Sequence, residues 1–212
     1  MTCKGIRRRD MLENCIVRGL LVAAVPMSAS NLLAQYQRGE NQALQPTPSE
    51  VLGPFFKKDA PNTANLRQAG DAGFPLRVTG KVVNTRGEKP ADVRIDVWQA
   101  DHIGHYDVQG YRYRAKLAVE PAGEYALDTI MPGHYPDRPA QHIHYMITAP
   151  GHKTLITQAY FATDPWFEGD PERNFGKRGI VGHRELVRPV KLFEQPGAVH
   201  AEITFDICLE KV

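Results

Sequence analysis

The chain has 212 residues, with 26 Lys and Arg against 24 Asp and Glu and a formal net charge of +2. So even a balance excludes a polybasic nucleic-acid binder. No repeat or low-complexity tract is present, and the length suits one domain with a substantial core.

Residues 1–30 stand apart from the fold. A basic stretch, Lys4, Arg7, Arg8 and Arg9, precedes Asp10-Met11-Leu12, a mostly apolar run from Gly19 to Ala29, and the small residues Ser28-Ala29-Ser30. Adjacent arginines followed by one variable and two apolar residues resemble a twin-arginine export signal, and the apolar run is too short to span a bilayer. The expected partner of this segment is the twin-arginine translocase, with cleavage near Ser30 or Ala34. The mature protein is then periplasmic or otherwise exported, without stable membrane insertion. The leader carries five of the basic and two of the acidic residues, which leaves 21 against 22 and a net charge of −1. The apparent basicity thus argues for export, and no nucleic-acid partner is expected. With Cys3 and Cys15 removed, Cys208 alone remains and no intramolecular disulfide can form.

Residues 31–75 read as an irregular arm rich in Pro, Gln, Asn and Gly that ends at Phe74-Pro75 and wraps the core. The remainder, 76–212, reads as short strands divided by turn chemistry: 76–84, 93–99, 125–130, 141–149, 154–162, 185–193 and 199–209. No amphipathic helix is evident after residue 35. The pattern predicts an all-β fold, a β-sandwich with long active-site loops. Two of those loops, 101–122 and 131–140, each deliver a tyrosine, Tyr106 and Tyr135. In a third, 163–184, Trp166 and Phe167 either cap a pocket or pack the loop.

The segment Gln141-His-Ile-His-Tyr145 carries the chemistry. As a strand it sends His142 and His144 to one face and Ile143, Tyr145 and Ile147 to the other. Two imidazoles joined by two phenols suit a hard, highly charged cation, which depresses phenol pKa, and ferric iron is the natural candidate. A metal site of another type built on His-x-His, such as a cupin-like oxygenase, would need a third nitrogen or carboxylate from a distant strand.

Five segments keep a shared order: 47–56 (TPSEVLGPFF), 78–106 (ending WQADHIGHY), 123–136 (GEYALDTIMPGHYP), 141–145 (QHIHY) and 155–165 (LITQAYFATDP). Over roughly 120 residues they resemble the intradiol ring-cleavage dioxygenases, non-haem Fe(III) enzymes that open catechols between the two hydroxyls. The resemblance implies the β-sandwich fold, and it implies Tyr106, Tyr135, His142 and His144 as iron ligands. The implied substrates are a small aromatic diol and O2, and the implied product is a muconate-type diacid. It also implies that Tyr135 leaves the metal to take up a substrate proton and that Gln158 lies beside the substrate. An arginine is expected three residues before the first histidine, whereas Arg138 stands four before His142, so either Arg138 or Gln141 fills that position. His102, His105 and His134 flank the tyrosines and either enter the pocket or face solvent. The strand pattern alone also fits a transthyretin-like β-sandwich binding module with a degenerate site. The particular catechol and the oligomeric state are not legible.

Overall fold

The structure, a computed structural model, describes residues 43–195 and 198–212. The twin-arginine-like segment and the first part of the arm lie outside the described residues. Ten strands follow in chain order: β1 (Pro75–Asn84), β2 (Arg94–Trp98), β3 (Arg114–Leu117), β4 (Glu124–Ile130), β5 (His142–Thr148), β6 (Leu155–Phe161), β7 (Val187–Arg188), β8 (Lys191–Gln195), β9 (Ala198–Thr204) and β10 (Ile207–Leu209). They form two five-stranded sheets, as an all-β sandwich requires. Among the described residues no helix is long and apolar enough to cross a membrane.

β1 is the axis of the first sheet. Its alternation buries Leu76, Val78 and Val82 while Arg77 and Lys81 face water. One edge pairs antiparallel with β4. The other pairs parallel with β9 and then, after a break, with β10, and β8 closes the sheet beside β9. At that break Phe205 N donates to Thr79 O and the Asp206 carboxylate accepts from Lys81 N. The approach is so close that a Cβ on Gly80 would lie 2.1 Å from Phe205 O, which is why glycine stands in mid-strand here.

The second sheet runs β3-β2-β5-β6-β7. Its inner face sends Ile143, Tyr145 and Ile147 into the core, where Tyr145 meets Phe205 of the facing sheet at 5.1 Å between ring centroids. Each such side chain contributes about 1.5–3 kcal/mol on burial. The outer face would be half-solvated in a bare sandwich. Here the arm covers it. Leu44 and Thr47 donate to Thr85 O and Cys208 O on the first sheet, Glu50 N donates to Ile156 O on β6, and Leu66 N donates to Asp128 O on β4.

Three sequence expectations need correction. The loop 101–122 contains β3, whose Arg114 and Lys116 disguise an alternation that buries Ala115 and Leu117 in the core. The strand expected over 185–193 is split between the two sheets, β7 beside β6 and β8 beside β9. Pro189 stands between them and has no N–H to continue a ladder. The strand expected over 199–209 is β9 and β10 with the Phe205-Asp206 break between them. Residues 163–186 hold short helical turns, Pro165–Phe167, Pro171–Asn174, Lys177–Gly179 and Arg184–Leu186. Asp164 and Asp170 cap the first two by accepting from Trp166 N and Arg173 N. At three or four residues each, these turns are too short to show a helical period.

Candidate metal centre

Cross-strand pairing lays a row of polar and aromatic side chains across the outer face of the second sheet. Arg114 is opposite Trp98, Trp98 opposite His144, and His144 opposite Gln158; the next row pairs His142 with Tyr160. Directly paired residues share a face, so both histidines point away from the core that holds Ile143 and Tyr145. They are nevertheless buried, at 3% and 2% exposure. The His144 ring stacks on Trp98 at 4.8 Å and 6°. From the arm, Gly53 approaches so closely that a Cβ there would lie 3.4 Å from His144 Cε1.

The two tyrosines arrive on loops pinned to one another through their backbones. The Asp101 carboxylate accepts from Ile103 N and His105 N, and Asp101 O accepts from Gly133 N at 2.7 Å. Gly104, at φ +91°, lies where a Cβ would be 1.9 Å from His134 O, and a Cβ on Gly133 would be 2.4 Å from Gly104 N. The contact exists only because both residues lack a side chain. It sets Tyr106 and Tyr135 edge to face at 5.6 Å between centroids. Phe55 of the arm then stacks on Tyr106 at 4.1 Å and 11°.

The donors converge. Nε2 of His142 is 3.1 Å from Nε2 of His144 and 3.4 Å from Tyr135 Oη. His142 Nδ1 lies 2.7 Å from Ala140 O, which places its proton on Nδ1 and leaves Nε2 with a lone pair. Tyr106 Oη is buried and has no hydrogen-bond partner, and neither has His144 Nδ1. Nitrogens about 3 Å apart, each about 2.1 Å from a common first-row cation, subtend roughly a right angle there, so the spacing fits shared coordination. Among the described residues no cluster of three or more His, Cys, Asp and Glu forms, so a site with a third nitrogen or a carboxylate is not supported.

Burial sets the charge state of the metal-free site. It pushes the Tyr106 phenol far above the ordinary tyrosine range, with the neighbouring Tyr135 phenol adding to the effect, and it raises Tyr135 as well. It lowers His142 to about 4 and His144 further below the usual histidine value. All four donors are therefore neutral in the bare chain at pH 7. Phenolate character has to come from a cation that replaces the protons. The residues fit such an ion: an orphaned Tyr106 oxygen, a hard oxygen and nitrogen donor set, and no thiolate at the site among the described residues.

Arg138 extends over the next row. Its Nη2 donates to Gln158 Oε1 at 2.7 Å and to Tyr160 Oη at 2.6 Å, and Tyr160 Oη donates to Gln158 Oε1. Gln141 has another duty, since its side chain donates to Pro132 O and its backbone N to the Asp164 carboxylate. Of the two alternatives, Arg138 is the one in contact with Gln158. Phe167 is fully buried in the core, and Trp166 packs within its own loop beneath Arg178, so neither caps the donors. His102 and His105 are exposed, whereas His134 pairs with Asp164 at 2.9 Å. Sequence reasoning passed over Phe55, Glu50, Asp164 and Arg114. Arg114 is a buried guanidinium that donates to Phe55 O and lies 5.9 Å from the Tyr106 ring. The glycines beside each tyrosine were the available signal for the loop contact.

Fold and site together define a β-sandwich protein with a tyrosine–histidine candidate metal centre on one sheet face. Residues 51–211 match the family described as Dioxygenase. The chain belongs to the intradiol ring-cleavage dioxygenase family. A hydroxyquinol 1,2-dioxygenase of Nocardioides simplex is 37% identical over 150 residues, 58% of this chain and 50% of that protein. A catechol 1,2-dioxygenase of Candida albicans is 29% identical over 197 residues, 80% of this chain and 64% of that protein. The chain spans about half the length of the first of the curated relatives it matches. Among solved structures, the dioxygenase domain of a dioxygenase and carbohydrate-binding protein fusion from Streptomyces sp. SirexAA-E matches with a TM-score of 0.65. That match has 34% identity and covers 79% of this chain and all of that one. A 3-chlorocatechol 1,2-dioxygenase of Rhodococcus opacus 1CP matches with a TM-score of 0.67 at 25% identity, covering 85% and 78%.

Proposed function

We propose that this protein holds ferric iron through Tyr106, Tyr135, His142 and His144 and cleaves a catechol-type ring between its hydroxyls, incorporating both atoms of O2. The observation that carries this reading is the convergence of two imidazole nitrogens and two phenols on one sheet face, with the buried Tyr106 oxygen left without a hydrogen-bond partner. When bound, the ferric ion supplies the Lewis acidity that binds both oxygens of the diol and prepares the ring for O2. Two phenolates and one hydroxide would balance its charge and let the site stay buried.

The remaining duties fall to the chain. Tyr106, covered by Phe55, would be the phenol that stays on the ion. Tyr135, on the loop 131–140, would hold the ion at rest and accept a proton of the entering diol at Oη. Arg138, fixed by Gln158 and Tyr160, offers positive charge to electron density developing on the ring carbon. Phe55 covers Tyr106, and Trp98 together with Gly53 of the arm keeps bulk water from His144. The product is a muconate-type diacid. The named relatives act on hydroxyquinol, catechol and chlorinated catechols, which makes a small neutral diol the substrate class to examine first. The arginine pair at Arg8 and Arg9 supports transport of the folded protein out of the cytoplasm.

The test is purification followed by iron analysis, a visible spectrum, and O2 uptake on catechol, hydroxyquinol, chlorinated catechols and protocatechuate. Stoichiometric iron, a burgundy phenolate-to-iron band and ring-opened diacid are expected. A colourless protein that takes up no iron would leave a β-sandwich binding module in its place.

A further inference from the structure

The arm contributes a carboxylate that the ring-cleavage reading does not use. Glu50 is largely buried, its side chain 10% exposed. Its backbone N donates to Ile156 O on β6, its Oε1 accepts from Gly182 N at 3.0 Å, and its Oε2 lies 3.7 Å from Arg138 Nη2. The next residue, Val51, accepts through its backbone oxygen from Gln158 Nε2 at 2.9 Å. Two consecutive arm residues thus grip the two side chains expected beside the substrate. Burying a guanidinium needs a compensating charge, and Glu50 is the one carboxylate paired with Arg138 among the described residues.

The arrangement around Arg138 is lopsided. Nη2 meets Gln158 Oε1, Tyr160 Oη, Ile180 O and Glu50, whereas Nε is buried with no partner among the described residues. The guanidinium is therefore anchored by one end. Among the described residues no hydrogen bond reaches Nε or Nη1.

We propose that Glu50 is a positioning residue of the ring-cleaving site, acting through Arg138: it fixes the Nη2 end of the guanidinium and ties it to the segment at Gly182, so that the unpartnered nitrogens keep one orientation toward the substrate. The inference rests on the proposed ring-cleavage function. It adds that the arm is part of the active site, since among the described residues it is the arm that brings a carboxylate to Arg138.

Glu50→Gln is the informative change, because its amide oxygen still accepts from Gly182 N while the charge is lost. Iron per chain, the resting charge-transfer band and catechol affinity measured anaerobically should stay within about threefold of the parent, while turnover falls roughly tenfold, as for a misplaced rather than missing group. Glu50→Asp, which keeps the charge on a shorter stem, should recover part of that turnover. In an Arg138→Gln background, Glu50→Gln should cost nothing further. Full turnover in Glu50→Gln overturns the proposal. So do losses that multiply in the double variant, or loss of iron and colour from Glu50→Gln alone. If the parent protein itself holds no iron or opens no ring, it is the proposed function that has failed.

Discussion

The backbone contact between the two tyrosine loops can be broken with a single methyl group. In Gly104→Ala the new Cβ would begin 1.9 Å from His134 O, and at φ +91° it would also meet its own backbone. The conformational strain alone costs about 1–2 kcal/mol, a lowering of the melting temperature by roughly 2–8 °C for a domain of this size. Relieving the clash requires the loops to part by about 1 Å or more, since non-bonded carbon and oxygen atoms settle near 3.5 Å. That displacement falls on Tyr135, whose own Cβ is 3.4 Å from the same point. Losing the contacts that hold a metal ligand in place costs about 10–100-fold in metal affinity, and a loss of that size is expected here. Gly151→Ala is the control: φ there is +70°, yet nothing lies within 4 Å, so it carries strain without a clash. Iron retained against a graded chelator, measured beside thermal unfolding of both variants, separates the two effects. Equal iron affinity in Gly104→Ala and Gly151→Ala would refute the argument that this contact sets the donor geometry.

Tyr106→Phe and His142→Ala should each lose both iron and visible colour; stoichiometric metal with an unchanged spectrum would contradict the ligand assignment. Tyr135→Phe should keep iron and lose turnover by about 10²-fold or more if its oxygen is the proton acceptor, and near-normal turnover with iron present would show a packed aromatic instead. Because burial lowers His142 to about 4 in the folded chain, the unfolded chain binds the extra proton between about pH 6.5 and 4. The contribution of His142 to the stability of the metal-free protein is therefore complete above pH 6.5 and is lost toward pH 4, a change of about 3 kcal/mol. His144 is shifted in the same direction, and urea titrations at pH 7.5, 5.5 and 4.5 would detect the loss as falling midpoints. Arg8 and Arg9 changed together to Lys should hold the protein in the cytoplasm, and fractionation that still finds it outside would exclude the translocase as partner.

The strand bearing the histidines was readable because Ile143, Tyr145 and Ile147 alternate with them and the period survives both faces being buried. The tyrosines were readable from their turn-rich surroundings and the family likeness. β3 was not, because Arg114 and Lys116 occupy outer-face positions that would ordinarily be solvent, and burial of Arg114 depends on an arm that has no period of its own. The arm was legible as an irregular segment and no more. Its contributions, Glu50 on Arg138, Gly53 over His144 and Phe55 on Tyr106, depend on where it crosses the sheet, and no local propensity encodes that path. Asp164 illustrates the same limit. It caps a helical turn in the usual way, but its hold on His134 and Gln141 N links segments far apart in the chain.

The pairing of β1 with β9 and β10 also orders events during synthesis. Leu76 waits for Ala201 and Val82 for Ile207 before that edge of the strand is satisfied. At roughly 5–20 residues per second, the ribosome leaves it open for something like 6–25 s, although β4 has closed the opposite edge long before. All four candidate ligands have been made by residue 144, so the donors exist on a nascent chain whose first sheet is still unfinished. A truncation just ahead of Ile207 would keep every candidate ligand and still leave that edge of the end of β1 unpaired, producing a chain that carries the donors but cannot complete its core.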